Sequence, residues 1–177
     1  MHRLFAAIRP PEAIRDQLID AMDDGPELKW VGDEQVHLTL RFIGEVERPL
    51  AEDIAAALAR VRAERFALSI AGIGRFDRRG GGALWAGIVP KPPVAALAAK
   101  IERACLAAGL APEHRAFHPH ITLARWTRAS AHAADAFAQR TRALASEPWP
   151  VEAFTLFESH LSRHGAHYEA VADYPLV

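Results

Sequence analysis

The order of apolar patterns along this chain predicts a mixed strand-and-helix protein of two similar lobes related by a pseudo-twofold axis. Two observations carry that expectation. A run of strand, helix, strand, helix, strand can be read twice within the 177 residues, and internal self-similarity of this kind constrains a fold more than any single element does. The middle strand of each copy also holds a matching tetrapeptide, His37-Leu38-Thr39-Leu40 and His120-Ile121-Thr122-Leu123.

The first copy opens with the short apolar strand Leu4–Ile8, ended by Pro10-Pro11. Ile14, Leu18 and Ala21 then recur at about one helical turn, with proline near the helix start, where it is tolerated. A loop through Gly25-Pro26 leads to Trp30 and a His-Thr strand over Val36–Ile43, closed by Gly44. Ile54, Leu58 and Val61 give the next helix its apolar stripe. Phe66, Leu68 and Ile70 alternate with Ala67 and Ser69 as a strand requires.

The second copy starts with Leu84–Ile88 and ends that strand in Pro90, Pro92 and Pro93. Val94, Leu97, Ile101 and Cys105 form one helical stripe, broken by Gly109 and Pro112. The second His-Thr strand follows over Phe117–Trp126. Ala133, Phe137, Thr141 and Leu144 predict a four-turn helix, stopped by Pro148 and Pro150. Phe154, Leu156 and Ser159 open a closing strand, with Tyr168–Ala172 returning antiparallel across a turn at Gly165.

Bulk properties narrow the function. A length of 177 residues supports one well-buried core, or two small lobes that share one. The net charge of −1 argues against coating long nucleic acid, which needs many cationic phosphate contacts. A small anionic group or one RNA end needs only a local cluster of donors. Cys105 is the one cysteine, so neither an intrachain disulfide nor a cysteine zinc site can form, and it reads as a small core residue. The apolar run Leu4–Ile8 is too short for a signal peptide, and nothing reaches transmembrane length, so a cytoplasmic protein is expected.

Alternation along a strand puts His37 and Thr39 on one face and turns Leu38 and Leu40 to the other. His120 and Thr122 repeat the arrangement. Two imidazoles facing one another across a phosphate can perform displacement at phosphorus without a metal, because the neutral ring takes a proton and the imidazolium gives one. The threonine hydroxyls would hold the non-bridging oxygens. His118 and His120 could chelate a metal with His37, but no Asp or Glu stands two positions from either and the matched threonines would be unexplained. No metal and no cofactor are therefore expected. Arg75–Gly82 reads as a flexible hairpin or inter-lobe loop in preference to a phosphate cradle, since no helix start follows its glycines. His160, His164 and His167 read as solvated histidines around a turn with no fixed strand register.

At these residues the chain resembles the 2H phosphoesterases, named for two H-x-T-x motifs. Within them it is most similar to the RNA 2′,3′-cyclic phosphodiesterases, long called 2′-5′ RNA ligases. The likeness runs through Leu4-Phe5-Ala6, His37 to Gly44, Phe117 to Arg125, and Leu156 to Ser159 with Gly165 and Tyr168. The resemblance implies an α+β, bilobal 2H-phosphoesterase-like fold, with sheets lining a central cleft and helices outside, as one catalytic domain over residues 1–177. It implies hydrolysis of RNA terminal 2′,3′-cyclic phosphate to a 2′-phosphate. His37 would be the acid that protonates the leaving O3′ and His120 the base that activates water. Arg125 would contact phosphate or nucleotide, although strict alternation from His120 sends it to the opposite face unless a bulge intervenes. The expected partners are RNA ends or nucleotides bearing the cyclic phosphate, with no membrane and no obligate protein partner, the protein being a monomer. Two alternatives remain: a 2H enzyme for another small cyclic nucleotide, and an RNA-end binding or 2′-5′ ligation module.

Overall fold

The computed structural model describes residues 1–22 and 26–177. Gly25 of the expected loop lies outside the described residues. The elements in chain order are β1 (His2–Ile8), α1 (Glu12–Ala21), β2 (Lys29–Trp30), β3 (Leu38–Val46), α2 (Arg48–Leu58), β4 (Phe66–Arg78), β5 (Gly81–Val89), α3 (Lys91–Ala107), β6 (His120–Thr127), α4 (Ala131–Arg140), β7 (Trp149–Val151), β8 (Ala153–Ser162) and β9 (Gly165–Pro175). The fold is a mixed α+β one, and every strand pairing is antiparallel.

The strands line up as β7-β4-β5-β6-β3-β1-β8-β9, with β2 against β6. This order carries the sequence repeat in an unexpected way. The first two strands of each copy pair with each other, but the third crosses over: β4 flanks β5, and β8 flanks β1. Exchanging the two copies leaves the order β4-β5-β6-β3-β1-β8 unchanged, as a pseudo-twofold between β3 and β6 requires. The halves therefore lean on one another.

Helices cover one face. Ile14 and Leu18, Ile54 and Leu58, Val94, Leu97, Ile101 and Cys105, and Phe137 are buried with Leu38, Leu40, Ile121 and Leu123 in one core. Burial pushes the Cys105 thiol up to about 11, in keeping with a packing role. A second, small cluster of Phe5, Ala7 and Phe157 with Tyr168 lies apart from that core.

Several boundaries differ from expectation for physical reasons. The second His-Thr strand starts at His120 and not at Phe117, because Pro119 has no N–H to give a ladder. The first starts at Leu38, after a 3₁₀ turn at Asp33–Gln35, and it runs through Gly44 to Val46. Gly44 takes φ +86°, so the glycine read as a strand end is a bulge instead. Helix α2 stops at Leu58, short of Val61, and α4 stops at Arg140. Thr141 turns its hydroxyl onto the Phe137 carbonyl at 2.6 Å, competing with the helix ladder, and Leu144 falls outside it. The strand at Phe66–Ile70 continues to Arg78, and the short β7 was not foreseen.

Candidate active site

The core fixes the direction of both motifs. Leu38, Ile121 and Leu123 are fully buried and Leu40 nearly so, which turns His37, Thr39, His120 and Thr122 to the face away from the helices. Strands β3 and β6 meet antiparallel at Leu38 and Ile121. That register sets His37 opposite Thr122 and Thr39 opposite His120. Each imidazole thus stands across from the other motif's hydroxyl.

The two rings are held alike. Nδ1 of His37 donates to the Gln35 carbonyl at 2.6 Å, and Nδ1 of His120 donates to the His118 carbonyl at 2.6 Å. A carbonyl can only accept, so the proton of each neutral ring is on Nδ1 and its Nε2 lone pair is left for a reacting group. The segment before His37 is pinned by Arg9, whose guanidinium donates to the carbonyls of Asp33 and Glu34 at 3.1 Å and of Val36 at 3.0 Å. Nothing in the sequence pattern singled out Arg9.

Aromatic side chains wall both rings. Phe5 lies 4.9 Å and Tyr168 5.3 Å from the His37 ring centre, the latter edge-on. Phe76 and Trp85 lie 4.9 and 6.1 Å from His120. Burial against these walls lowers the His37 pKa to about 4, with Arg9 and His120 adding to the effect and the Gln35 hydrogen bond opposing it. His120 is also lowered, chiefly by burial and then by His118 and Arg78, against its own backbone hydrogen bond. Both rings are neutral at neutral pH.

Arg125 reaches the motif face through a bulge. Trp85 pairs with Thr122 and Leu84 with Ala124, so Leu123 is the extra residue. Leu123 and Ala124 are consequently both buried and Arg125 is exposed, close enough to Tyr168 to oppose the burial-driven rise of its phenol. The pairs Ala7–Thr39 and Ala6–Arg41 make the same device in β3. There Leu40 and Arg41 are buried and Phe42 is exposed.

Arg75–Gly82 is a hairpin, with β4 running to Arg78 and β5 starting at Gly81, and no phosphate cradle. Its strand residues nonetheless bring Phe76 and Arg78 beside His120, a contribution hidden by reading the stretch as a loop. His118 meets Trp85 and Phe76 edge-on, its ring centre 5.8 Å from that of His120. The closing histidines also depart from the reading of an unregistered turn. His160 of β8 pairs directly with His167 of β9, and only His164 is in the turn. His160 bonds Glu169 at 3.0 Å, His167 bonds Glu34, and Glu158 accepts from His2 at 2.8 Å. Donor atoms of Glu158, His160 and Glu169 lie within 4.8 Å of one another on this exposed hairpin, the one spacing among the described residues that would suit a metal ion.

A cavity of about 700 Å³ opens from Thr39, Phe76 and His120. The 2′-5′ RNA ligase superfamily model matches residues 10–163, which include both motifs and the two His120 walls, Phe76 and Trp85. The chain belongs to the 2′-5′ RNA ligase superfamily. It is 41% identical over 103 residues to an RNA 2′,3′-cyclic phosphodiesterase of Aeropyrum pernix, spanning 57% of this chain and 58% of that protein. A protein of the same description from Geobacillus stearothermophilus is 32% identical over 164 residues, 89% of this chain and 51% of its own length. The chain thus spans little more than half the length of these two relatives. Escherichia coli LigT, solved in complex with 3′-AMP, superposes with a TM-score of 0.80 at 28% identity, covering 99% of this chain and 98% of LigT. Membership in the superfamily agrees with the 2H resemblance drawn from the two motifs.

Proposed function

We propose that this superfamily member is an RNA 2′,3′-cyclic phosphodiesterase, which opens a terminal cyclic phosphate to a 2′-phosphate by two-histidine catalysis. The observation that carries the reading is the matched pair of Nδ1–carbonyl hydrogen bonds, which leave two Nε2 atoms available on adjoining strands. The Nε2 atom of His120 takes a proton from water as the water oxygen bonds to phosphorus. The P–O3′ bond breaks, and His37, as an imidazolium, delivers its Nε2 proton to O3′. Thr39 and Thr122 hold the non-bridging oxygens, and Arg125 adds a phosphate or nucleotide contact. In the unliganded protein His37 is neutral, so the acid is charged by the arriving phosphate anion, whose proximity favours the imidazolium. The relatives described as RNA 2′,3′-cyclic phosphodiesterases and the LigT complex with 3′-AMP support the same substrate class.

The chain acts as one bilobal catalytic domain over residues 1–177, as a cytoplasmic monomer. Supporting this are a sheet that runs through both halves and a single, buried cysteine. No helix among the described residues is long and apolar enough to cross a membrane. With both Nε2 atoms assigned to proton transfer the proposed reaction needs no metal, which hydrolysis in excess EDTA tests.

A short RNA ending in a 2′,3′-cyclic phosphate tests the reading. The expected product is the 2′-phosphate, formed equally well in excess EDTA. His37→Ala and His120→Ala should each nearly abolish turnover, and the double variant should lose little more than either. A 3′-phosphate product, loss of activity in EDTA with return on adding zinc, or a fully active single variant would each overturn it.

A further inference from the structure

The sheet divides where β3 and β6 part, and the two sides of the division are treated differently. Beyond Ile121, β6 is covered by β2, with Lys29 against Arg125 and Trp30 against Ala124. On the other side of the Leu38–Ile121 pair, the stretch from Thr39 to Phe42 faces the irregular segment 108–119, and there the 700 Å³ cavity lies. Small side chains of α3, Ala95, Ala98 and Ala99, supply its apolar wall. A volume of this size falls in the range of clefts that enclose a ligand of several rings, roughly 300–1,000 Å³. Two large aromatics line it while remaining open to solvent, Phe42 and Phe117, each 39% exposed.

Among the described residues, one unpaired cation on the lining points to an anionic group on the occupant. Its three acidic side chains are each held by arginine: Asp77 by Arg75, Glu102 by the buried Arg41, and Glu113 by Arg115. Arg78, on the same lining and near enough to His120 to depress its protonation, has no carboxylate partner among the described residues. The rings and the cation belong to one continuous groove that ends at Thr39 and His120.

We propose that this groove receives the nucleobase of the penultimate nucleotide of an RNA end, stacked on Phe42 and Phe117 with its phosphate near Arg78. The proposal rests on the cyclic phosphodiesterase reading and names the preferred substrate as an oligonucleotide end in place of a free cyclic mononucleotide. A strand advances about 3.3 Å per residue and the bulge at Leu40 removes one step, so Phe42 lies roughly 7 Å beyond Thr39. Phe76 and Trp85 stand next to the reacting phosphate and are the surfaces within reach of the terminal sugar and base. The rings at Phe42 and Phe117 are left for the nucleotide before it. Stacking on an aromatic ring tolerates any base, which predicts little sequence preference at that position.

The test compares kcat/KM for 2′,3′-cyclic AMP with that for the dinucleotide ApA carrying a 2′,3′-cyclic phosphate. The wild-type protein should favour the dinucleotide at least tenfold, a value in keeping with one stacked base. That ratio should fall about tenfold in the Phe42→Ala/Phe117→Ala double variant and in Ala99→Trp, which fills the groove. Thermal melts establish that the variants fold. A wild-type ratio near one, a ratio unchanged in both variants, or equal losses on both substrates, which would put the terminal base in the groove, overturns the proposal. If the wild type hydrolyses neither substrate, the functional reading fails. Binding to the His120→Ala variant then decides the groove alone: tighter binding of ApA 2′-phosphate than of 2′-AMP supports it, and equal binding rejects it.

Discussion

Acidifying the unliganded protein should destabilise it through His37, and the size of the effect follows from the ring's surroundings. Packed between Phe5 and Tyr168, His37 resists protonation until about pH 4, whereas in the unfolded chain it takes a proton near 6.5. The unfolded state therefore binds the extra proton within that window, and stability falls as pH drops through it. The slope approaches 1.4 kcal/mol per pH unit for one group. Between pH 7 and pH 4.5 the contribution is at most about 2.4 kcal/mol, and partial access of the ring to water brings it to roughly 2. Above 6.5 it is constant. Urea unfolding of the wild type and His37→Gln at pH 7.0, 5.5 and 4.5 isolates the term, because all other titrating groups cancel in the difference between the two proteins. The wild type should lose roughly 2 kcal/mol more than the variant across that range. Equal losses, or a ring that titrates near 6.5 by NMR, would refute the claim that Phe5 and Tyr168 desolvate this imidazole.

The same shifts predict a bell-shaped kcat/KM with its maximum on the acid side of 6.5, the acid limb near pH 4 from His37 and the alkaline limb from His120, both pKa values being lowered; a maximum above pH 7 would contradict it. Thr39→Ala and Thr122→Ala should each lose a hydrogen bond to a charged oxygen, roughly ten- to a hundredfold in rate, without a large change in melting temperature. A variant that melts much lower while its folded fraction keeps full activity would make that threonine structural. Arg41→Ala should cost about 3 kcal/mol of stability, seen in thermal melts, because it strands Glu102 and removes donors to the carbonyls of Phe42 and Ala111 at 2.6 and 2.7 Å.

The strength of the sequence signal differed along the chain for physical reasons. Apolar periodicity located α1, α3 and the hairpin of β8 and β9, since each buries a regular stripe. The His-Thr tetrapeptides were readable because their Leu and Ile neighbours alternate strictly. What alternation alone could not locate was the bulge at Leu123, which brings Arg125 to the motif face, or its counterpart at Leu40, which exposes Phe42. A bulge adds one residue without changing the apolar pattern around it. Phe76 and Arg78 were missed for another reason. Three consecutive glycines, Gly80-Gly81-Gly82, drew attention to the turn and away from the strand that carries these side chains. Of those glycines Gly80 makes the tight turn at φ +84°, while Gly82 is needed because a Cβ there would meet the Phe76 carbonyl at 1.9 Å. Arg9 and Tyr168 act from elements distant in sequence, where only the tertiary fold brings them to His37.

The arrangement also accounts for how a symmetric pair of motifs would perform the asymmetric reaction proposed for it. Each histidine anchors Nδ1 on the carbonyl two residues before it and stands opposite the other motif's threonine, so these contacts do not distinguish the two. Their neighbours do. His37 is shut in by Phe5 and Tyr168 with Arg9 adding to the depression, and in the proposed reaction its protonation would depend on the charge that a bound phosphate supplies. His120 has Phe76, Trp85 and His118 around it and Arg78 close by, so it is kept neutral by adjacent cationic charge as well as by burial. In the proposed reaction a phosphate that approaches Arg78 would neutralise part of that field and raise the His120 pKa, leaving burial beside Phe76 and Trp85 to keep the ring a free base. The walls differ because Phe76 enters on β4 and Tyr168 on β9, strands that do not correspond between the two copies. The repeat places the two imidazoles alike, and the strands packed beside them give each a different wall.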